Sequence, residues 1–185
     1  MPRPSDAKSR LIDTAIRLFR CRGYHGVGLT ELLEVSGAPK GSFYHHFPGG
    51  KEELGAVAVR TAGHRIAQLM ETAFADATSM DEGAERLTQM IAEGFAASDY
   101  TAGCPVTTVL LDTVPQSEML SKAGRAAFAE WRAVLVRHAE RLGDDRDIDA
   151  MGTALLTAIE GGWMLARIQR SPEPILMAGR AFRMA

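Results

Sequence analysis

Cysteine is scarce in this 185-residue chain, which has only Cys21 and Cys104, far apart and in no CxxC arrangement. A disulfide framework or a zinc finger is therefore implausible. The chain also lacks any run of about 18 apolar residues that could span a bilayer, and its N-terminus is too polar for a signal peptide. These absences predict a cytoplasmic protein without a membrane segment.

Enzyme motifs are missing as well. Gly26-Val27-Gly28 fails the GxGxxG pattern because Glu31 stands where the third glycine belongs, and no strand precedes it. His45 and His46 are adjacent, so on a helix they diverge by about 100° and cannot bind one metal together. Cys104, which precedes a proline in an apolar segment, fits a small core residue better than a nucleophile or a redox sensor. We expect no enzyme, no cofactor and no metal site.

Positive charge is concentrated at one end of the chain. Residues 1–51 hold eight Lys/Arg and four Asp/Glu, a local charge of +4, whereas the whole chain carries -2, which leaves -6 for the remainder. The hydrophobic content of 46 % is that of an ordinary globular protein. A basic N-terminal part on an acidic body indicates a module that binds a polyanion, joined to one that does not.

Apolar residues recur at helical spacing along the whole chain, and no stretch alternates with period two for long enough to form a strand. The sequence therefore predicts an all-α fold of about nine helices. The predicted segments are Asp6–Arg22, Thr30–Ser36, Pro39–His46, Lys51 to about Ala77, Asp81–Ser98, Val106–Val114, Glu118–Leu142, Asp147 to about Arg170, and Ile175–Met184.

The stretch 29–54 has the layout of a helix-turn-helix. Thr30 is expected to cap a short helix, which Gly37 ends in the left-handed region. Pro39 then suits the start of a second helix, where its missing N–H costs nothing, and Pro48-Gly49-Gly50 stops it. Two short helices around a tight glycine turn are typical of a DNA reader whose second helix enters the major groove.

Several side chains of this stretch suit contacts with DNA. The first turn of a recognition helix lies nearest the bases, and the turn after it can reach phosphates. Donors beside helix N-termini favour phosphates as well. Phe43 and Phe47 are expected to be buried anchors. The candidate DNA-binding residues are Thr30, Lys40, Gly41, Ser42, Tyr44, His45, His46 and Lys51.

Each of these residues also has a plainer interpretation, with Thr30 as a cap, Tyr44 as a packed aromatic and the histidines as surface polar groups. An alternative of a different class therefore stays open. It is an all-helical protein that binds a small molecule or a partner and uses its helix-turn-helix only structurally. A steep loss of DNA affinity with salt would distinguish the two, because each phosphate neutralised contributes a slope of about -0.9.

Small residues recur at every fourth position of the predicted helix from Asp147. A four-residue repeat drifts by about 40° per step, so the stripe winds around the helix. Small side chains let another helix approach closely, which indicates either a subunit interface or an ordinary buried helix. The candidate interface residues are Ala154, Ala158, Gly161, Gly162 and Ala166.

Large, soft side chains are frequent in the acidic body and would suit the lining of a site for a flat apolar ligand, although each could equally be plain core. The candidate effector-pocket residues are Met90, Phe95, Met119, Phe128, Trp131, Trp163 and Met164.

Four segments together resemble the DNA-binding domain of the TetR/AcrR family of bacterial transcriptional regulators. They are Phe19-Arg20-Cys21-Arg22-Gly23-Tyr24, Gly28-Leu29-Thr30, the run from Ser36 to Phe47 and Lys51-Glu52-Glu53-Leu54. The Gly-Ala-Pro-Lys-Gly-Ser and Phe-Pro-Gly-Gly-Lys segments are similar in particular to the LmrA/YxaF-like branch. The resemblance covers roughly residues 6–55.

This resemblance implies a homodimer with a three-helix DNA-binding domain (residues 1–50) and an effector-binding and dimerisation domain (residues 51–185), linked by the long helix from about 51 to 77. It implies that Thr30, Tyr44 and Lys51 hold phosphates, while Lys40, Gly41, Ser42 and His45 face bases or the adjacent backbone. The expected partners are a palindromic operator in double-stranded DNA and a small hydrophobic effector that releases the repressor from it.

Overall fold

The computed structural model describes residues 4–182, and these form nine α-helices and no strand, which confirms the predicted all-α class. The helices are α1 (Pro4–Arg22), α2 (Leu29–Ser36), α3 (Lys40–His46), α4 (Gly50–Ala75), α5 (Met80–Ala97), α6 (Thr107–Thr113), α7 (Glu118–Leu142), α8 (Ile148–Gln169) and α9 (Glu173–Ala181). Of the described helices, none combines the length and the apolar character needed to cross a membrane.

The described chain folds into two compact units, each made of two segments. The first unit comprises residues up to 64 together with 104–128, and the second comprises 65–103 together with the chain from 129 onward. Helices α4 and α7 each contribute residues to both units. The first unit thus contains α1 to α3, α6 and the N-terminal portions of α4 and α7.

Helix α1 buries Leu11, Ala15 and Phe19, the apolar side that its spacing predicts. It ends where expected, because Gly23 adopts a φ of +74° and its N–H donates to the carbonyl of Phe19 at 2.8 Å. A left-handed residue directly after a helix is the usual helix stop, and glycine adopts it without strain.

The helix-turn-helix forms with two differences at the helix starts. The N-cap of α2 is Gly28, in extended conformation, and not Thr30 as predicted, because Leu29 already has helical backbone and Thr30 is the second helical residue. Pro39 likewise precedes α3 as its N-cap, with a ψ of 143°, and does not begin the helix. Gly37 makes the predicted left-handed turn, with a φ of +63°.

The later helices match their predicted positions within a few residues. Helix α7 has the predicted bounds, whereas α9 begins two residues earlier than expected because Pro174 lies in its first turn, where proline is tolerated. Met184, which the prediction placed at the end of this helix, lies outside the described residues.

The second unit has a core in which α9 packs against α5 and α8. Phe95, Ala166 and Ile175 are almost fully buried in one cluster, and Trp163 packs against it. The contact with α8 is close, because a Cβ on Gly162 would lie 2.8 Å from the carbonyl oxygen of Pro174. Gly162 therefore serves the packing of the chain's own α9.

Candidate nucleic-acid interface

The recognition helix α3 separates buried from exposed side chains as predicted. Phe43 and Phe47 are fully buried, with their ring centroids 5.7 Å apart. They therefore anchor α3 in the core. One aromatic anchor within this seven-residue helix and a second directly after it leave the opposite side of α3 exposed.

The exposed side of α3 carries most of the candidate DNA-contacting residues. Lys40, Gly41 and His45 are exposed, Ser42 is half-buried, and the side chain of Tyr44 is 45 % exposed. A Cβ added at Gly41 would meet nothing within 4 Å, so the backbone there is open to close approach. The structure thus brings these five residues together on one short helix.

The two histidines of α3 have different surroundings. His45 is exposed, whereas His46 is half-buried and its Nε2 atom is covered without a hydrogen-bond partner in the described part of the chain. The rings meet edge to face at 5.1 Å. The ring of His45 is therefore accessible from solvent, whereas the His46 ring would have to turn to offer Nε2.

Thr30 is exposed in the first turn of α2. The first backbone bond of this helix runs from the N–H of Leu32 to the carbonyl of Gly28 at 3.1 Å, so the N–H groups before Leu32 have no partner within the helix. Such N–H groups, reinforced by the helix dipole, are a favourable position for a phosphate.

Lys51 points inward in the structure. Its ammonium donates to the backbone carbonyl of Tyr24 at 2.7 Å and lies 4.1 Å from the centroid of the Tyr24 ring. Burial lowers the pKa of Lys51, and the nearby negative charge of Asp112 acts in the opposite direction. The ammonium retains further N–H donors, and its role as a phosphate contact remains a prediction.

Two arginines of α1 help to hold the helix-turn-helix together. The Nε of Arg10 donates to the carbonyl of Ser36, at the end of α2, at 3.0 Å. Arg22 forms a bidentate pair with Glu31 and also donates to the carbonyl of Gly26 at 2.6 Å. Spacing along the chain gives no signal for either contact, because the partners lie on different elements.

The predicted effector-pocket residues are dispersed. Phe95 and Trp163 lie in one cluster of the second unit, where Trp131 is also buried. Met90 lines an open hollow of about 460 Å³ between α4 and α5. Met119, Phe128 and Met164 differ in exposure: Phe128 is half-buried, and Met119 and Met164 are 43 % and 62 % exposed.

The winding of the small-residue stripe on α8 is confirmed by burial. Ala154 is exposed and Ala158 and Gly161 are half-buried, whereas Gly162 is buried and Ala166 is fully covered. Gly161 has open space around it. The structure therefore leaves only the first three candidate interface residues accessible.

Apolar exposure continues along the accessible side of α8. Leu165 is 45 % exposed and Ile168 73 % exposed, and Met177 on α9 is 50 % exposed. Ala154, Ala158, Gly161, Leu165 and Ile168 follow one another at alternating steps of four and three residues, which places them in one stripe of the helix. We call these five residues the α8 stripe.

In the described residues, no group of three or more His, Cys, Asp or Glu side chains is arranged to hold a metal ion. Cys21 is exposed and Cys104 is buried, and neither forms a disulfide.

Comparison with known proteins assigns both parts of the chain. Residues 11–56 match the model of the tetR family of bacterial regulatory proteins, and residues 81–181 match the C-terminal domain of LmrA/YxaF-like transcriptional regulators.

Relatives align over nearly the whole chain. The HTH-type transcriptional regulators YxaF and LmrA of Bacillus subtilis are each 33 % identical over 173 residues; the alignment with YxaF covers 93 % of this chain and 91 % of YxaF, and that with LmrA covers 92 % of each. The crystal structure of the regulatory protein TetR from Rhodobacter sphaeroides is similar with a TM-score of 0.82 at 27 % identity, covering 95 % of this chain and 96 % of that one.

Proposed function

Because the chain belongs to the TetR family of bacterial regulatory proteins and is thus a DNA-binding transcriptional regulator, we propose that it represses transcription from a palindromic operator as a homodimer. A small hydrophobic effector would release it. The single observation that supports this best is the exposed side of α3, where Lys40, Gly41, Ser42, Tyr44 and His45 lie together over two buried phenylalanines.

The reading geometry follows from the exposure of this helix. Lys40 and Ser42, in the first turn of α3, would donate to base edges or to the adjacent backbone, and Gly41 would let the helix come close. Tyr44 and His45, one turn later, would donate to phosphates. The N–H groups at the start of α2, which have no partner within the helix, would hold a further phosphate beside Thr30.

The homodimer would form through the α8 stripe. Its apolar residues are exposed or half-buried in the isolated chain, and Gly161 offers open space in which a partner helix could approach the backbone closely. Met164 and Met177 would extend the apolar area. Gly162 and Ala166, which the chain's own α9 side covers, are left out of the proposed interface.

The effector would bind within the second unit. Phe95, Trp131 and Trp163 are large aromatic side chains of this unit, and a ligand would have to enter between them, because Phe95 and Trp131 are almost fully buried. The indole N–H of Trp163 is covered without a hydrogen-bond partner in the described part of the chain, so an acceptor atom on an otherwise apolar effector would satisfy it. Helix α4, continuous from Gly50 to Ala75, would transmit the response. A cytoplasmic location, where the operator is accessible, completes the proposal.

Selection of bound sequences from a random pool of double-stranded DNA tests this function. We expect a palindrome whose half-sites are about one helical turn apart or slightly more, 34–36 Å for one turn. Affinity for the selected DNA should fall steeply with salt, with a slope of about -0.9 per phosphate neutralised. Failure to enrich any sequence, together with a flat salt dependence, would support instead a protein whose helix-turn-helix is only structural.

A further inference from the structure

Asp112, near the end of α6, contacts the loop between α1 and α2, which we call the head loop (residues 23–28). The backbone N–H of His25 donates to Oδ2 of Asp112 at 3.0 Å, and the Nε2 atom of His25 lies 2.9 Å from the backbone carbonyl oxygen of Asp112. The two residues are 87 positions apart but lie in the same compact unit. The segment that carries Asp112 is outside the tetR-family match of residues 11–56.

Gly23 is fitted to the same carboxylate. A Cβ at this position would lie 2.6 Å from Oδ2 of Asp112, closer than real Cβ contacts come. Gly23 also has a φ of +74°, which side-chain-bearing residues rarely adopt. The head loop thus both ends α1 and leaves room for Asp112.

Two further contacts hold the head loop from other sides. Lys51 donates to the carbonyl of Tyr24 at 2.7 Å, and Arg22 donates to the carbonyl of Gly26 at 2.6 Å. Asp112 adds an acceptor for the N–H of the residue between them. The last residue of the loop, Gly28, is the N-cap of α2, so the conformation of the loop sets where the first turn of that helix lies.

We propose that Asp112 is a positioning residue for operator binding, which holds the head loop, and through it the N-terminus of α2, in the geometry that meets the DNA backbone. This inference rests on the proposed function. Because a loop that is already ordered loses less conformational entropy on binding, the contact favours the complex.

The surroundings of the contact make it separable from overall stability. His25 and Asp112 are exposed, and they border an open hollow of about 620 Å³ whose lining includes Leu111, which is 84 % exposed. Breaking the contact therefore unpacks no core. Its loss changes the order of the loop while the helices keep their buried contacts.

The direction in which DNA affinity changes on removal of Asp112 shows whether this residue acts by positioning the loop or only by its negative charge. Removal of an acidic residue normally strengthens binding to a polyanion, because it removes a repulsion. If Asp112 positions the loop, its removal weakens binding. Glu118 is a matched control, since it is an exposed carboxylate of the same unit that pairs with Arg125.

The experiment compares Asp112→Ala, Asp112→Asn, His25→Ala and Glu118→Ala in the full chain, on the DNA that the wild-type protein selects from a random pool. We expect Asp112→Ala to bind about three- to tenfold more weakly, the effect of losing one hydrogen bond, because the backbone carbonyl that faces His25 Nε2 is kept. His25→Ala should show a smaller loss. Asp112→Asn, which keeps a side-chain acceptor, should recover most of the affinity, and Glu118→Ala should bind as tightly as the wild type or more so.

Amide hydrogen exchange gives a readout that does not need DNA. The His25 N–H should exchange faster in Asp112→Ala than in the wild type and Glu118→Ala, at an unchanged midpoint of thermal unfolding. The proposal is overturned if Asp112→Ala binds DNA like Glu118→Ala, or if the exchange rate of the His25 N–H is unchanged in Asp112→Ala. It is also overturned if Asp112→Ala and His25→Ala both lower the unfolding midpoint in parallel with DNA affinity, because Asp112 would then have a purely structural role. Failure of the wild type to select DNA would instead refute the proposed function, and the exchange data would still decide whether Asp112 holds the loop.

Discussion

The ammonium group of Lys51, at the start of α4, donates a 2.7 Å hydrogen bond to the backbone carbonyl of Tyr24 and lies 4.1 Å from the centroid of that residue's ring. A residue that the sequence assigns to DNA therefore also fastens α4 to the head loop. Lys40, on α3, is by contrast exposed. Substitutions of Lys51 and Lys40 can therefore be compared for their effects on stability and on DNA affinity.

We predict that Lys51→Met lowers the free energy of unfolding by about 1–2 kcal/mol, because it removes a partly buried hydrogen bond and a cation–π contact. Lys40→Met should leave that free energy unchanged and lower only DNA affinity. Urea unfolding and fluorescence anisotropy on the selected DNA measure the two quantities. Equal stability of the two variants would contradict the inward role of Lys51.

Tyr44→Phe should weaken binding to the selected DNA by about three- to tenfold, the effect of removing one hydroxyl donor. The hydroxyl is at the exposed end of a side chain whose ring packs edge to face on Phe43 at 5.0 Å, and the substitution keeps that ring. Thermal unfolding should therefore be unaffected. Unchanged affinity would remove Tyr44 from the proposed interface.

Ile168→Asp should dissociate the proposed dimer, because it places a charge within the apolar contact that the α8 stripe would form. Ile168 is 73 % exposed, so the isolated chain should still fold. Sedimentation equilibrium measures the change. Thr153→Asp, on a polar exposed position of the same helix, serves as the matched control; dissociation of both variants, or of neither, would argue against the α8 stripe.

The start of α5 should contribute to the acid sensitivity of the protein. The backbone N–H of Thr78, followed by its hydroxyl, hydrogen-bonds the carboxylate of Glu82 and lowers the pKa of that group to about 2, against the opposing effect of desolvation and with help from Arg86. A carboxyl group whose pKa is lower in the folded state adds stability above its unfolded pKa of about 4.3. That contribution is lost as pH falls toward 2.

Thermal unfolding midpoints between pH 5 and pH 2 test this expectation. The wild type should lose stability more steeply than Glu82→Gln, and the two midpoints should converge at the acid end. Glu93→Gln, which alters an exposed carboxylate of the same helix, controls for net charge. Parallel curves for the wild type and Glu82→Gln would contradict the assignment.

The sequence pattern predicted those features of the structure that depend on residues close together in the chain. The left-handed Gly37 ends α2 as predicted, and the burial of Phe43 and Phe47 follows from their spacing of four residues. Gly28, in extended conformation, is the cap of α2 and starts the helix two residues earlier than a Thr30 cap would, a difference that the residue types at the cap do not determine.

Contacts between distant elements were not predictable from the pattern. The pairs Arg10–Ser36 and His25–Asp112 join positions 26 and 87 residues apart, and nothing in either segment marks its partner. The inward direction of Lys51 depends on the same packing. The exposed side of α3 could be predicted because the helix is short and its two large aromatic neighbours, Phe43 and Phe47, mark the buried side.

The adjacent glycines of α8, Gly161 and Gly162, look equivalent in the sequence but differ in whether the structure has room for a side chain at each position. Gly162 lies against the backbone of Pro174 and Ile175, so an alanine there would push α9 away, whereas Gly161 has open space around it. Alanine at Gly161 would gain up to about 1 kcal/mol of helix propensity in one chain and fill the gap that a partner helix needs. Glycine at position 161 thus costs the single chain some helix stability at the position where the proposed dimer would need the space.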